Sequence, residues 1–277
     1  MPPLAKECIA SWRKFLPDYE IWQWGEVPLC ENTNETMRYE NDCSTTIGDD
    51  YLSKNVNRLY DKRVFFDVNM IPYTAEAYQQ GKYAFVSDYA RFWIIYRHGG
   101  IYFDTDVEVI RPMDDIIEKG NFMGFEMDPD GENTPGRYAP KYAFDVAAGL
   151  GFGMGKSHPF MRRMLEIYEN LEFQGAAMNP WLKTVVAYTT EALMNEGLRN
   201  TKGIQQIGDI IIYPSEYFAP INIVSGRLHV TENTRCIHRY MGSWSEKKGV
   251  KERIRELIPE WVFLLNNKLQ RRRYKVQ

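Results

Sequence analysis

Residues 83–106, which read YAFVSDYARFWIIYRHGGIYFDTD, decide the fold. The first half of this stretch is apolar almost all round, and such a pattern is typical of a buried helix, here over residues 84–96. Gly99 and Gly100 end that helix. Residues 101–110 then read as a strand rich in β-branched and aromatic side chains, which Pro112 closes because proline cannot donate to a central ladder. A buried helix followed directly by a strand indicates an α/β domain.

The segments on either side support this class. Upstream, apolar residues at three-to-four spacing predict a helix over residues 4–16, and alternation predicts a short strand over residues 19–24. Downstream, the pattern predicts helices over residues 160–171 and 181–196 and a strand over residues 210–213. Helices that alternate with strands favour a single α/β domain over residues 1–277.

Two segments interrupt this pattern. Residues 25–66 are polar and rich in Asn, Asp and Thr, so we interpret them as a surface insertion that is partly helical over residues 51–60. The pattern of residues 246–277 predicts a helix with an apolar face followed by a basic tail. This basic segment either packs as a terminal helix with a solvated tail or contacts a membrane surface peripherally.

Composition excludes several classes of protein. Lys and Arg total 34 against 37 Asp and Glu, and the formal net charge of −3 argues against a nucleic-acid partner. The hydrophobic fraction of 44% excludes wholesale disorder. The sequence shows no apolar run long enough for a membrane span, no signal-peptide pattern at Met1, and too few cysteines for a disulfide scaffold. We therefore expect a cytoplasmic globular protein, with the inner face of the membrane as the alternative location.

Asp104 and Asp106 carry the clearest chemical signal. On an extended strand both side chains point to the same side, with α-carbons about 6.5–7 Å apart. Two carboxylates on one side of an apolar strand repel each other and are costly to desolvate. A hard divalent cation, Mn²⁺ or Mg²⁺, relieves both problems and can carry a diphosphate. The alternative is a strand end in water, where a pair of aspartates needs no ligand.

A second charged group precedes this pair. Ser87, Asp88 and Arg91 fall in one stripe of the predicted helix, and Asp88 and Arg91 can touch at a spacing of three. A charged pair on a buried helix either forms a structural bridge or faces a polar ligand. The turn at Gly99 and Gly100 brings both charged groups near one crevice.

The third group lies near the C-terminus, in residues 238–244, HRYMGSW. The imidazole of His238 can add a nitrogen ligand to two carboxylates on Mn²⁺. The indole of Trp244 could close over a nucleotide. The alternative for His238 is a histidine that hydrogen-bonds at a strand end without any metal.

Residues 83–106 resemble the signature of the Asp-x-Asp sugar transferases of glycosyltransferase family 32, which includes yeast-type mannosyltransferases and bacterial capsular-polysaccharide transferases. The likeness extends over residues 4–24 and 67–245, through GFE at residues 124–126, GKSHPF at residues 155–160, YPSEYF at residues 213–218 and the segment around His238. The resemblance implies a GT-A fold, with a Rossmann-like mixed sheet flanked by helices. It also implies a nucleotide-sugar donor, a saccharide or lipid-linked acceptor, a Mn²⁺ or Mg²⁺ cofactor, and retention of anomeric configuration in surface polysaccharide synthesis.

The resemblance also assigns roles to residues. Asp106 would bind the metal directly with His238 as a further ligand, and Asp104 would contact both ribose and metal. Asp88 and Arg91 would hold the donor sugar and ribose. Catalysis would then depend on Asp104, Asp106 and Arg91. The resemblance further suggests substrate contacts from Gly100 at the strand start, from Gly149 within residues 147–151 and from Trp244 as a lid residue. By the same resemblance, Glu126 and Asp145 are either acceptor-side or cation-stabilising carboxylates.

One departure keeps other interpretations open. Family members begin with a strand containing His and Trp that supports the nucleotide, whereas this sequence opens at Met1-Pro2-Pro3, at a position that comes after that strand. Either residues 19–24 and the insertion rebuild the nucleotide pocket, or the protein is a catalytically impaired carbohydrate-binding or scaffold relative. A further rival is a phosphohydrolase of the haloacid-dehalogenase type, with a nucleophile strand over residues 104–107 and an acidic loop at Gly208-Asp209.

Overall fold

The computed structural model describes residues 1–26, 62–129, 144–173, 184–222 and 226–241. Its helices are α1 (Pro3–Phe15), α2 (Pro72–Gln79), α3 (Tyr83–His98), α4 (Asp114–Ile117), α5 (Pro159–Glu169) and α6 (Val185–Asn195), with a 3₁₀ turn at Ser215–Tyr217. Its strands are β1 (Trp22–Glu26), β2 (Lys62–Phe66), β3 (Gly100–Tyr102), β4 (Val107–Val109), β5 (Asn121–Met127), β6 (Asp145–Val146), β7 (Phe152–Met154), β8 (Gln205–Ile207), β9 (Ile210–Tyr213) and β10 (Cys236–His238).

The main sheet is mixed. Its strands follow the order β3-β7-β5-β9-β8, and β6 pairs with β5 outside that path. Strands β5 and β9 are parallel, whereas β3 with β7, β5 with β7 and β8 with β9 are antiparallel. Two further pairs stand apart from this sheet, the parallel pair β1–β2 and the antiparallel pair β4–β10. A mixed sheet flanked by helices is the architecture that the GT-A resemblance implies.

Apolar side chains of β5 alternate between two cores on opposite faces of the sheet. Met123 and Phe125 pack in the larger core with helices α2, α3, α5 and α6. Phe122 packs in the smaller core, where its ring stacks on Phe218 at 5.8 Å between centroids. Helix α1 and strands β4 and β10 contribute to this second core. None of the described helices has the length and hydrophobicity needed to cross a bilayer.

The buried helix predicted over residues 84–96 is confirmed as α3. Its last turn is capped by Gly99, whose φ of 72° lies in the left-handed region that favours glycine. A Cβ at Gly99 would also lie 2.9 Å from the backbone nitrogen of Lys156. The chain can therefore leave α3 and enter β3 immediately only because this residue is glycine.

The single strand predicted over residues 101–110 is wrong. The segment divides into β3 and β4, which pair with different partners, β7 and β10. Between them the amide of Asp104 donates to the carbonyl of Gly149 at 3.1 Å, and the amide of Val107 donates to the carbonyl of Asp104 at 3.0 Å. The second bond closes a turn over residues 104–107, and the first ties the start of that turn to Gly149. Residue type alone suited a continuous strand, but long-range pairing divided it.

Described strands overlap both ends of the predicted insertion over residues 25–66. Strand β1 extends to Glu26, and β2 begins at Lys62 and pairs with it in parallel. Phe66, at the end of β2, is buried and packs against Trp93 of α3. Residues 27–61, which include the predicted helix over residues 51–60, lie outside the described residues. Helix α2 follows β2 and was not predicted.

The remaining predicted elements are confirmed, with shifted ends. The predicted N-terminal helix is α1, the predicted strand over residues 19–24 is displaced to β1, and the downstream helices are α5 and α6. The strand over residues 210–213 is β9. Residues 181–183 of the last predicted helix and the whole of residues 246–277 lie outside the part of the chain that the structure describes.

Candidate active site

Three side chains with metal-binding chemistry converge beside the β4–β10 pair. Asp104 and Asp106 come from the turn that precedes β4, and His238 ends β10 directly opposite Val107. One ligand atom from each side chain lies within 4.8 Å of the other two. The two aspartates therefore point to one place, as expected, but because of the turn and not because of strand alternation.

Asp106 and His238 form the more buried part of this triad. Their side chains are 13% and 14% exposed, and His238 Nε2 lies 3.3 Å from Asp106 Oδ1. The backbone amide of Met241 donates to Asp106 Oδ2 at 2.8 Å. Burial alone would raise the pKa of Asp106, but its bonds to His238 and Met241 bring that pKa below its ordinary value. Burial alone would lower the pKa of His238, but the neighbouring Asp106 carboxylate raises that pKa above its ordinary value.

Asp104 is the most open member of the triad, with 29% of its side chain exposed. The hydroxyl of Tyr102 donates to Asp104 Oδ1 at 2.9 Å, and Arg91 Nη1 lies 3.3 Å from the same oxygen. Burial raises the pKa of Tyr102 far above its ordinary value, so its hydroxyl keeps its proton and remains a donor. The sequence analysis missed Tyr102. The signal was available, because Tyr102 precedes Asp104 by two residues, the same spacing that separates Asp104 from Asp106.

The stripe on α3 joins this group through Arg91. Arg91 Nη2 lies 3.1 Å from Asp88 Oδ1 and donates to Ser87 Oγ at 3.2 Å, while Nε donates to the carbonyl of Ser87. Burial raises the pKa of Asp88 to about 7, against the opposing effect of Arg91 and with a further contribution from Asp104. Arg91 therefore bridges Asp88, as one interpretation of this pair expected, and also extends to Asp104, whereas its contact with a polar ligand stays a prediction.

Gly149 allows Asp104 to take its position. A Cβ at residue 149 would lie 2.2 Å from Asp104 Oδ2 and 3.4 Å from Arg91 Nη1. Gly100 has a φ of 103° and open space around it. Trp244 lies outside the described residues. Glu126 and Asp145 are both buried, at the end of β5 and in β6.

A cavity of about 1150 Å³ adjoins the triad on its Arg91 side. One wall is a stripe of α3, from Tyr83 through Ser87 and Arg91 to His98. The opposite wall includes β1, whose Trp24 ring lies 5.3 Å from the imidazole of His98. Residues of α1, β2 and β3, together with Thr105 in the turn between the two aspartates, complete the lining. The lining is largely aromatic and apolar, with charged side chains at Arg91 and also at Asp18 and Glu20.

The donor set suits a divalent cation. Two carboxylates and one imidazole offer hard oxygen ligands and a borderline nitrogen, a combination that accommodates Mn²⁺ or Mg²⁺. A cation held by Asp106 and His238 would require the neutral imidazole, because a protonated ring nitrogen cannot act as a ligand. The guanidinium of Arg91 adds a permanent positive charge beside Asp104, which suits an anionic ligand.

The proposed acidic loop of the phosphohydrolase interpretation lies elsewhere. Asp209 accepts a hydrogen bond from Asn121 Nδ2 at 2.7 Å and lies 2.9 Å from His158 Nε2. Asn121 is the first residue of β5 and pairs with Ile210, so this cluster sits at the starting end of the parallel strands. Asp209 takes no part in the triad of Asp104, Asp106 and His238, and its surroundings are those of a structural cluster.

Comparisons with known proteins agree with this chemistry. Residues 2–123 match the family model described as the glycosyltransferase sugar-binding region containing the DXD motif. The chain is also 22% identical, over 228 residues, to the initiation-specific alpha-1,6-mannosyltransferase of Candida albicans. That alignment covers 64% of this chain and 58% of the relative, so the chain spans less than two thirds of the relative's length. The matched family region contains both aspartates and Arg91 but ends well before His238.

Proposed function

Since these matches support a glycosyltransferase family 32-like assignment, we propose that the chain moves a hexose or N-acetylhexosamine from a nucleotide-diphosphate sugar to a saccharide or lipid-linked saccharide acceptor. We further propose that this transfer depends on Mn²⁺ or Mg²⁺. The observation that carries the proposal is the convergence of Asp104, Asp106 and His238 beside Arg91, at one end of a large cavity.

The roles of the side chains follow from their positions. When bound, a divalent cation would supply positive charge to offset the charge that develops on the departing diphosphate. Asp106 and His238 would hold it from the buried side, and Asp104 from the open side. Arg91 keeps Asp104 oriented and adds its own charge next to the phosphates. Asp88 holds Arg91 in place, and its carboxyl group would accept a hydrogen bond from a sugar hydroxyl.

The stereochemistry and setting extend the proposal. The donor carbon becomes oxocarbenium-like, and the acceptor oxygen attacks from the face that the diphosphate leaves. Attack from that face retains the anomeric configuration. The departing phosphate oxygen takes the acceptor's proton. Support for retention is the family 32 resemblance. We also propose that residues 1–277 are a single domain that works in surface polysaccharide synthesis. Its location would be the cytoplasm or the inner face of the membrane. A lipid-linked acceptor and the basic residues within 246–277 are consistent with this location.

The direct test is release of nucleoside diphosphate from a panel of UDP- and GDP-sugars, with Mn²⁺ and then with a chelator. We expect metal-dependent release from at least one donor, and we expect Asp106→Asn to lower it by about 10²–10³-fold with the fold intact. Glu118→Gln removes an exposed carboxylate outside the site and is the matched control. Release that persists in the chelator, or in Asp106→Asn, would contradict the metal assignment. Calorimetric binding of a donor without any release would favour the impaired relative instead.

A further inference from the structure

Residues 239–241, which follow β10, lie against Asp106. The backbone amide of Arg239 donates to the carbonyl of Asp106 at 2.9 Å, and the amide of Met241 donates to its carboxylate oxygen Oδ2 at 2.8 Å. The side chain of Arg239 is held as well, because it forms a buried ion pair with Glu108 of β4. Both neighbours of Tyr240 in the chain are therefore fixed by contacts with Asp106 or Glu108.

The backbone of Tyr240 has an unusual conformation. Its φ of 49° lies in the left-handed region, which among the described non-glycine residues only Ser157 shares. This conformation is costly for a bulky side chain, and residues adopt it only where their surroundings impose it, often at functional sites. In an extended chain the amides of residues 239 and 241 would lie about 6.5–7 Å apart. The bend at Tyr240 allows both of them to bind one residue, Asp106.

The ring of Tyr240 packs against His238. The two ring centroids are 4.2 Å apart, with 50° between the ring planes. His238 Nε2 lies 3.3 Å from Asp106 Oδ1, so this nitrogen faces the metal site. The other ring nitrogen, Nδ1, is buried and has no hydrogen-bond partner among the described residues. A histidine that binds a metal ordinarily donates from its second nitrogen to an oxygen that fixes the ring. Here the tyrosine ring lies where it can restrict the imidazole instead.

We propose that Tyr240 is a positioning residue of the metal site. Its ring restricts rotation of the His238 imidazole, and its left-handed backbone directs the amides of its two neighbours to Asp106. This inference rests on the metal dependence in the proposed function. The effect of Tyr240 is indirect, because ligands that are already oriented lose less conformational freedom when they bind a cation. Metal affinity is therefore the quantity that should report its role.

Two substitutions separate the ring contact from the bulk of the side chain. Tyr240→Leu keeps a large apolar side chain and removes the ring, whereas Tyr240→Phe keeps the ring. We expect Tyr240→Leu to weaken Mn²⁺ binding by about tenfold or more, and Tyr240→Phe to stay within about threefold of wild type. Affinity is measured by electron paramagnetic resonance with Mn²⁺ alone and with UDP or GDP. Nitrogen modulation of the electron spin echo, which reports an imidazole bound to Mn²⁺, should be lost or reduced only in Tyr240→Leu.

Tyr217→Leu is the matched control. The ring of Tyr217 packs on Tyr213 at 4.8 Å between centroids, outside the triad. This variant should lower the urea concentration at the unfolding midpoint without changing Mn²⁺ affinity. If Tyr240→Leu does not fold, Tyr240→Gly takes its place, because glycine adopts a positive φ readily. The same loss of Mn²⁺ affinity is expected there, since the ring is again absent.

Wild-type Mn²⁺ affinity in Tyr240→Leu would overturn the inference. So would an equal loss in Tyr240→Phe, or an equal loss in Tyr217→Leu, because the ring contact with His238 would then not be the cause. These outcomes leave the proposed function standing as long as wild type releases nucleoside diphosphate from a donor. If wild type releases none but the variants bind Mn²⁺ in the expected order, transfer is refuted and the inference is supported. A wild type that binds no Mn²⁺, alone or with nucleotide, overturns both the inference and the metal assignment.

Discussion

Replacing Gly149 with alanine should damage the site without damaging the fold. The added Cβ would lie 2.2 Å from Asp104 Oδ2, where an ordinary van der Waals contact begins near 3.4 Å. Gly149 is absent from the residues with positive φ, so its backbone accepts alanine. The cost therefore falls on the Asp104 carboxylate, which must move by about 1 Å and so disturb its contacts with Arg91 and Tyr102, or force the loop outward.

Displacements of this size have predictable consequences. A shift of about 1 Å in a catalytic group can lower turnover by about 10²-fold, and disturbing a metal ligand's supports lowers metal affinity by about 10–100-fold. The free energy of unfolding should fall by no more than about 1–3 kcal/mol, the usual range for an added methyl group in a packed region.

Three measurements decide the outcome: Mn²⁺ affinity by electron paramagnetic resonance, donor turnover, and urea unfolding. Gly155→Ala is the control, because its Cβ would have no neighbour nearer than 3.8 Å. We expect this control to change all three quantities little. If Gly149→Ala binds Mn²⁺ and turns over donor as wild type does, the missing Cβ does not position Asp104 and the account of the site is wrong. A large loss of stability would instead show that Gly149 matters for packing.

Two further predictions concern buried charges. Asp88→Asn should raise stability at pH 8, because the stabilising contribution of a carboxyl group whose pKa rises to about 7 on folding is present below about pH 4 and lost as the pH rises through 7. Arg91 stays paired in this variant through Asp104. Melting temperatures are measured with a chelator from pH 4 to pH 8. The difference in melting temperature between Asp88→Asn and wild type should vanish near pH 4. A variant less stable than wild type at pH 8 would contradict the prediction. Glu108 is 1% exposed and pairs with Arg239, so Glu108→Gln should cost about 3–5 kcal/mol in urea unfolding. Glu166→Gln, in an exposed pair, should cost less than about 1 kcal/mol, and similar losses in both variants would be evidence against a special role for the buried pair.

Local sequence patterns predicted most helices because their causes are local. The apolar character of α3 and the glycine that ends it both belong to consecutive residues, and so does the apolar spacing of α1. Helix α2 was missed because it is short, and its buried residues, Tyr73, Thr74 and Ala77, include too few aliphatic ones to show a periodic pattern. The strand over residues 101–110 was overextended because its residue types suit a strand throughout, whereas strands end where their pairing partners change.

In the candidate site, too, the residues could be found from the sequence, whereas their contacts could not. By itself the sequence identified the pair Asp104 and Asp106, the pair Asp88 and Arg91, and His238, since each stands out by residue type and spacing. Only the tertiary structure joined them, through the pairing of β10 with β4 and the contact of Arg91 with Asp104. Gly149 and Tyr102 take their roles from the same contacts. The physical reason is range: helix formation depends on neighbours three or four residues away, whereas a metal site is assembled from segments that meet only after the chain has packed.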